Sequence, residues 1–304
     1  MNPRAPAESN PDRWASPADV ASLLAEQHYL VERSLAMAVF LSARLGKPLL
    51  VEGEPGCGKT ELAKALAVAT GTELIRLQCF EGLDARSALY DWDYPKQMLT
   101  IRIHEKTETP SAVEKEIFSE RFLLRRPLLR ALDGDATHRP VLLIDEVDRS
   151  DEEFEGLLLE VLSDFQVTIP ELGTIKALRI PIVIITSNRT RELSDALKRR
   201  CLYAFVGYPD LDKETEILRA RIPQLDARLA REIAGFVQRI RGETDLVRRP
   251  GVAETLDWAA ALLALNRKSI DRELVQDTLG FLVKDAQDLE LVRARHPEDL
   301  PDSA

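Results

Sequence analysis

Cysteine, excess positive charge and long apolar runs are all scarce in this chain, and each scarcity excludes a class of protein. The three cysteines, Cys57, Cys79 and Cys201, are scattered and form no C-x-x-C pair, which argues against a disulfide framework or a zinc site. Lys and Arg number 41 against 51 Asp and Glu, and the net charge of −10 argues against tight non-specific binding of nucleic acid. No apolar run approaches the roughly 18 residues of a membrane-spanning helix.

The first residues and the overall composition indicate an ordinary globular protein. Met1–Pro17 is polar and proline-rich and lacks the apolar core of a signal peptide, so we expect a flexible tail and a cytoplasmic protein. A length of 304 residues with 45% hydrophobic residues allows one large or two small domains with an ample core.

The most informative stretch is Gly53-Glu54-Pro55-Gly56-Cys57-Gly58-Lys59-Thr60, which matches the phosphate-loop pattern G-x-x-x-x-G-K-[ST]. An apolar strand precedes it and a strong helix former, beginning with Glu61, follows it. The glycines let backbone N–H groups turn toward an anion, and the helix adds its positive N-terminal end. Lys59 is expected to reach the β- and γ-phosphates, and the Thr60 hydroxyl to bind Mg²⁺. A glycine-rich turn with a surface lysine is the alternative.

Apolar runs and helical patterns alternate over the first two thirds of the chain. The runs predict strands covered on both faces, at Pro48–Glu52, Glu73–Leu77, Pro140–Ile144, Ile180–Thr186 and Leu202–Val206. The helical patterns lie at Pro17–Leu45, Lys59–Thr70, Ala112–Leu132, Asp151–Asp164 and Glu192–Arg199. The alternation predicts an α/β fold, a doubly wound parallel sheet over residues 18–207.

Beyond Gly207 the pattern is helical throughout. The predicted helices are Asp212–Arg221, Asp226–Arg241, Gly251–Leu265 and Ile270–Val292. We therefore expect a smaller all-helical domain over residues 208–293 and a C-terminal tail over residues 294–304.

The strand that precedes Asp145 and Glu146 carries the second half of a nucleotide site. A phosphate-loop enzyme needs a carboxylate at the end of a neighbouring strand for Mg²⁺, which Asp145 provides, and a base or water-orienting group, which Glu146 provides. The following Asp148 and Arg149 are expected to be solvated. On its own a strand that ends in two acids is a weak signal, since many strands do.

Two further polar sites have both a functional and a structural interpretation. Asn188 follows the fourth strand and either hydrogen-bonds the attacking water or γ-phosphate, or forms a turn. Arg199 and Arg200 end a helix, where cations complement the helix dipole, or one of them serves as an arginine finger that enters a neighbouring subunit's site.

Together with the helical domain, these motifs resemble the AAA+ ATPases, and finer features resemble their MoxR family. Leu158–Ile169 is similar to the MoxR helix that leads into a β-hairpin, with arms at Val167–Ile169 and Thr174–Leu178, near 166–179. Leu77–Gln97 is similar to the insert, near 78–100, of the CoxD-like branch, which is associated with maturation of molybdenum-dependent carbon monoxide dehydrogenase. The resemblance covers roughly residues 20–290.

The resemblance implies a role for each matching residue. Gly53–Glu61 would bind ATP, with Lys59 and Thr60 as the Walker A pair, while Asp145 and Glu146 would be the Walker B pair. Asn188 would be sensor 1, and Arg200, with Arg199 in reserve, the finger. The family's sensor-2 arginine would follow a proline, but in the stretch Val247–Glu254 the arginines Arg248 and Arg249 precede Pro250 and none follows it. Either Arg249 or Arg248 substitutes for that arginine, or sensor 2 is absent.

The resemblance also implies cofactors and partners. The cofactors are ATP and Mg²⁺, and the assembly is a homo-oligomeric ring that is hexameric. The partners are a von Willebrand A-domain protein and a metalloenzyme client, and no nucleic acid is expected to bind. A DNA-associated AAA+ ATPase, a phosphate-loop small-molecule kinase and a non-catalytic nucleotide-binding module are the alternatives.

Two local questions stay open. Trp92 and Tyr94 either pack under a loop or contact a partner, and Cys57 is either an apolar filler or a redox-sensitive thiol.

Overall fold

The fold is taken from a computed structural model, which describes residues 14–104, 109–133 and 139–295. Most of the two predicted tails, residues 1–17 and 294–304, lies outside the described residues. Packing divides the chain into two compact units. Of the described residues, the first unit comprises residues 14–23, Glu32–Glu52 and Leu62–Phe205, and the second comprises Leu24–Val31, Gly53–Glu61 and residues 206–295. The predicted domain boundaries stay a proposal.

Helices and strands alternate up to residue 206. In chain order they are α1 (Pro17–Glu26), α2 (Arg33–Leu45), β1 (Leu49–Gly53), α3 (Lys59–Thr70), β2 (Leu74–Gln78), α4 (Ala85–Ala88), β3 (Tyr90–Trp92), α5 (Tyr94–His104), α6 (Pro110–Ile117), β4 (Leu123–Arg125), α7 (Pro127–Leu132), β5 (Val141–Asp145), α8 (Glu152–Asp164), β6 (Gln166–Ile169), β7 (Gly173–Lys176), β8 (Ile182–Ser187), α9 (Asp195–Arg200) and β9 (Leu202–Val206).

A five-stranded sheet of order β2-β5-β8-β1-β9 forms the centre of this alternation. Strands β1, β2, β5 and β8 pair in parallel, and β1, β5 and β8 are buried at every residue. The predicted α/β class with a parallel sheet is therefore confirmed. Glu52 of β1 lies opposite Ser187 of β8, and Gln78 of β2 lies opposite Asp145 of β5. The register thus places the carboxyl ends of neighbouring strands side by side, where ligands bind in such sheets.

Two small antiparallel pairs accompany the sheet. β6 pairs with β7, and the Thr168 and Thr174 hydroxyls hydrogen-bond across the pair at 3.0 Å, close to the predicted hairpin arms. β3 pairs with β4, in a region where the sequence predicted one helix over Ala112–Leu132. That prediction was wrong because Phe122 and Leu123 turn into the core and Pro127 starts a new helix, where its missing N–H costs nothing.

Two other predicted helices are also interrupted. Between α1 and α2 the left-handed His28 (φ 58°) closes a turn in which the Tyr29 N–H donates to the Leu24 carbonyl. Ile270–Val292 divides into two α-helices with a 3-10 turn at Leu279–Phe281. In both places the helix-like spacing of apolar residues continues across the break. The spacing alone therefore does not reveal where the helix is interrupted.

The rest of the chain is helical, as predicted. It contains α10 (Leu211–Arg221), α11 (Ala227–Gly242), α12 (Val252–Ala264), α13 (Arg272–Thr278) and α14 (Ala286–Arg295). These helices have a core of their own, in which Phe236 of α11 packs on Trp258 of α12 and the Trp258 ring N–H donates to the Thr278 hydroxyl. None of the helices in the described part of the chain is long and apolar enough to cross a bilayer.

Candidate nucleotide site

The loop from Gly53 to Gly58 has a backbone path that only glycine permits at key positions. A Cβ on Gly53 would lie 2.0 Å from the carbonyl oxygen of Val206. Gly56 has φ +74°, and its Cβ would lie 2.9 Å from the Cα of Gly251. The loop then leads into α3, which begins at Lys59, and the positive N-terminal end of a helix dipole suits an anion.

Lys59 is buried, and its ammonium group lies inside the loop. Nζ donates to the carbonyls of Gly53 and Glu54, each at 2.7 Å. These bonds hold the positive charge beside the turn, as a phosphate-binding lysine requires. Thr60 is the second residue of α3, and the carboxylate of Glu61 accepts a 2.7 Å bond from Arg221 of α10. Glu54 and Pro55 are exposed.

Cys57 is buried in the same loop. Burial raises the pKa of its thiol to about 11, although the charges of Lys59 and Arg241 oppose the shift. A protonated, buried thiol at neutral pH is a poor nucleophile, so the geometry favours the apolar filler over the redox-sensitive thiol.

The start of α12 contacts the phosphate loop through its backbone. The Val252 N–H donates to the Gly56 carbonyl at 2.9 Å, and the Glu254 carboxylate accepts from the Gly251 N–H at 2.9 Å, which caps the helix. The two arginines considered for sensor 2, Arg248 and Arg249, are both exposed. The resemblance led us to expect an arginine side chain from this region at the phosphate loop. Within the described residues, the contact that we find there is made by the backbone of α12.

A buried ion pair supports this helix start, and sequence reasoning missed it. Arg241 donates to both carboxylate oxygens of Glu214, at 2.6 and 2.7 Å, and to the Pro250 carbonyl at 2.7 Å. Thr255 of α12 donates to Glu214 at 2.9 Å. Arg241 thus ties α10, α11 and the segment before α12 together. No sequence motif marks Arg241. An arginine at the end of an amphipathic helix is normally interpreted as an exposed cation that complements the helix dipole.

Two aromatic rings also lie near the loop and were not predicted. Tyr29 Cε2 lies 3.7 Å from the position a Cβ would take on Gly58, and the Tyr208 ring packs 4.7 Å from the Arg241 guanidinium. Burial raises the pKa of Tyr208 to about 12, with the Cys57 and Glu54 charges adding to the shift. Tyr29 fell inside a predicted helix, so its place beside the loop depends on the break at His28.

Asp145, at the end of β5, is buried with both carboxylate oxygens hydrogen-bonded. Oδ1 accepts from the Thr186 hydroxyl at 2.6 Å, and Oδ2 accepts from Arg76 Nη2 at 2.6 Å and Nε at 3.1 Å. Arg76 lies on β2 and is half exposed. The predicted magnesium ligand is therefore oriented and fixed by hydrogen bonds from its two neighbouring strands.

Glu146 follows with a left-handed backbone (φ 57°), and three side chains bind its carboxylate. Asn188 Nδ2 donates to Oε1 at 3.3 Å, while Gln78 Nε2 and Arg149 Nη1 donate to Oε2 at 3.0 and 3.1 Å. The structure thus brings the predicted pair Glu146 and Asn188 together. Arg149 joins them from the exposed position that the sequence suggested, with 59% of its side-chain surface accessible.

Asp148, unlike Arg149, is not the solvated residue that the sequence suggested. It is buried, and its oxygens accept from the Asn188 N–H at 3.1 Å and from the Thr190 N–H and hydroxyl at 2.8 and 2.6 Å. Burial would raise its pKa, but the bonds from Thr190 and Asn188 outweigh burial and lower the pKa. Asp148 anchors the loop that carries Asn188, a role that its spacing from Glu146 did not reveal.

Arg199 and Arg200 form the last turn of α9, and both are exposed. Neither side chain forms a hydrogen bond or an ion pair with another residue of the described ranges. Their position fits a helix-dipole role and also fits a finger directed at another molecule.

The AAA family (ATPase family associated with various cellular activities) matches residues 49–206, just over half of the chain. This chain belongs to the AAA family of ATPases. The match begins at β1 and ends with β9, so it includes the phosphate loop, Asp145, Glu146 and Arg200.

Individual relatives of this AAA ATPase are distant. Lon protease 3 of Sorangium cellulosum is 30% identical over 47% of the chain, and the chain covers 16% of that protein. An uncharacterized protein, SH1500, of Staphylococcus haemolyticus is 28% identical over 65% of the chain and 69% of that protein. The gas vesicle ATPase GvpN1 of Halobacterium salinarum is 22% identical over 82% of the chain and 72% of that protein. A solved structure of the RuvB Holliday junction branch migration motor of Thermotoga maritima aligns over 92% of the chain and 75% of that chain, with 18% identity and a TM-score of 0.45.

An AAA ATPase hydrolyses ATP with Mg²⁺, and the donor groups fit both. Lys59 and the start of α3 provide positive charge for phosphates. The Thr60 hydroxyl and the Asp145 carboxylate are the oxygen ligands that Mg²⁺ prefers. Within the described ranges no cluster of three or more His, Cys, Asp or Glu would hold a metal ion alone.

Proposed function

We propose that this AAA ATPase is a MoxR-type, ring-forming enzyme that couples MgATP hydrolysis to remodelling of a client protein. The proposed client is a metalloenzyme, as for the CoxD-like branch, and a von Willebrand A-domain protein is the proposed partner. The resemblance of Leu158–Ile169 and Leu77–Gln97 supports this proposal, as does the antiparallel pair β6–β7 close to the expected hairpin.

The residues have the following proposed roles. Lys59 and the loop backbone bind and orient the phosphates, and Thr60 and Asp145 would hold Mg²⁺, which neutralises charge that develops on them. Glu146 orients the attacking water and accepts its proton. Asn188 fixes the Glu146 carboxylate, and Asp148 holds the Asn188 backbone in place.

The observation that carries the ring is the exposed pair Arg199 and Arg200 at the end of α9. A cation supplied to a neighbour's γ-phosphate stabilises the transition state, an effect of about 10³ or more in rate. A surface that contacts a different surface of the next copy closes into a ring when the rotation permits. Each subunit then hydrolyses ATP only beside a neighbour.

The test is ATPase activity per subunit across a protein concentration series, with mass measured by light scattering with and without ATP. We expect activity per subunit to rise as a ring, hexameric by resemblance, forms. Arg200→Ala should bind ATP but lose hydrolysis. Arg219→Ala is the matched control, because Arg219 is an exposed arginine in the last turn of α10. A monomer that turns over at full rate would contradict the ring and favour a phosphate-loop kinase.

A further inference from the structure

Helix α5 (Tyr94–His104) is packed with its polar side inward. Gln97 and Thr100 are buried, with 5% and 7% of their surface exposed. Tyr94, Met98, Leu99 and Ile103 are 50%, 55%, 60% and 63% exposed. A helix on a protein surface normally shows the reverse, with its apolar stripe on the core.

Specific contacts fix this orientation. The Gln97 side-chain amide donates to the Ile117 carbonyl at 2.7 Å, and the Lys96 ammonium donates to the Arg121 carbonyl at 3.1 Å. Asp93 caps the helix by accepting from the Lys96 N–H at 3.1 Å. Rotating the apolar side inward would break the hydrogen bond of the buried Gln97 amide and leave buried polar groups without partners, which is unfavourable. The outward apolar side is therefore a stable feature of the fold.

The exposed side also carries positive charge. At 100° per residue, Arg102 lies between Tyr94 and Met98 on one side and Leu99 and Ile103 on the other. We call these five residues the α5 face. Arg102 is exposed and has no reported hydrogen bond or ion pair within the described residues. Helix α5 contains no acidic residue, although acids outnumber bases in the whole chain by 51 to 41.

We propose that the α5 face binds a polypeptide segment of the client in which apolar side chains flank a carboxylate. Exposed apolar groups of this density mark interaction sites, and a single arginine among them selects an acidic partner by charge complementarity. This proposal rests on the proposed function, since it assigns the surface by which the ATPase holds its client. It concerns the protein-binding surface and leaves the nucleotide site unchanged.

The test uses two fluorescent synthetic peptides and the full-length protein. In one peptide Leu and Phe flank Asp, and in the other Lys replaces Asp. We expect the full-length protein to bind the Asp peptide at least tenfold more tightly, which corresponds to about 1.4 kcal/mol. Ile103→Ser should weaken binding of both peptides, and Arg102→Glu should reverse the preference in favour of the Lys peptide. Fluorescence anisotropy without nucleotide measures both effects.

Controls separate this proposal from the proposed function. Leu265→Ser removes an equally exposed leucine just after α12 and should bind both peptides as the unchanged protein does. Basal ATPase activity should stay within about twofold in every variant, as expected for surface substitutions away from the nucleotide site. An unchanged peptide preference in Arg102→Glu would overturn the inference, even if the ATPase is active. Loss of self-association in Ile103→Ser without a change in peptide binding would overturn it in favour of a second copy as the occupant. An inactive ATPase that still binds the Asp peptide would instead count against the proposed function.

Discussion

At the residue scale, the carboxylate of Glu146 is bound by three side chains, two of which come from segments that lie far away in sequence. Gln78 ends β2, Asn188 follows β8, and Arg149 lies three residues along the chain. The left-handed backbone of Glu146 places the carboxylate where all three donors reach it. Its position is therefore set by the surrounding strands, so a change of charge at this residue alters the chemistry more than the shape.

We expect Glu146→Gln to bind MgATP with little change and to lose turnover by about 10²–10⁴-fold, the usual value of a general base. The amide keeps the size of the side chain but does not accept the proton of water. Nucleotide binding and phosphate release measure the two effects. Glu153→Gln, an exposed change on α8, is the control, and retained turnover in Glu146→Gln would assign the base elsewhere.

The buried Cys57 thiol predicts a pH dependence of stability. Burial raises its pKa from 9.0 to about 11, so below pH 9 both folded and unfolded chains keep the proton. Between about pH 9 and 11 only the unfolded chain loses it, so this contribution to stability is lost as pH rises. We expect the urea midpoint to fall more between pH 8 and pH 10 for the unchanged protein than for Cys57→Ser. Equal falls would show that the folded thiol ionises normally.

At the scale of elements, the sequence predicted those whose signal is local and failed where tertiary contacts decide. The strands β1, β5 and β8 are continuous apolar runs, and α3 follows a phosphate loop, so each was predicted to within about two residues. The helix predicted over Ala112–Leu132 was wrong, because Phe122 and Leu123 turn into the core and interrupt the helical pattern. The insert near 78–100 carries two aromatic residues whose packing the sequence left open. Of its two questioned aromatics, Trp92 is buried and Tyr94 is half exposed. The orientation of α5 likewise cannot be predicted from the spacing of its apolar residues. It depends on the hydrogen bond from the buried Gln97 side-chain amide to the Ile117 carbonyl.

The ion pair of Arg241 and Glu214 is the element-scale feature with the clearest energetic consequence. Arg241→Ala leaves the Glu214 carboxylate buried without its cation, and we expect a loss of about 3–5 kcal/mol in the free energy of unfolding. Urea denaturation measures it. Arg231→Ala breaks an exposed pair with Asp212 and should change little, because exposed pairs contribute little. A similar effect for both variants would contradict the buried role.

At the scale of the whole molecule, the residues proposed to act on the nucleotide come from both compact units of the chain. The phosphate loop groups with the helices beyond residue 206, the acids Asp145 and Glu146 group with the sheet, and the proposed finger would serve another subunit. Neither composition nor spacing specifies a client or an assembly, so both are proposed on the family resemblance and on the exposed pair Arg199 and Arg200.

Mixing inactive subunits tests the shared site directly. Arg200→Ala lacks the finger and keeps its own loop, while Lys59→Ala keeps the finger and lacks the loop lysine. We expect each alone to be inactive and a mixture to recover part of the ATPase activity, measured as phosphate release at constant total protein. An Arg200→Ala protein that is fully active alone would return Arg200 to a helix-dipole role.

The close backbone approach of Gly56 and Gly251 has a genetic consequence. A methyl group at either position collides with the Cα of the other, and neither residue has a side chain left to remove. A lethal Gly56→Ala change therefore has no compensating substitution at residue 251. Suppressors selected against it should instead shorten Glu254, whose carboxylate oxygen lies 3.1 Å from the added carbon, or alter the entry to α12. In saturation mutagenesis, we therefore expect every substitution of Gly56 and every substitution of Gly251 to be harmful, and no substitution at one position to rescue a change at the other.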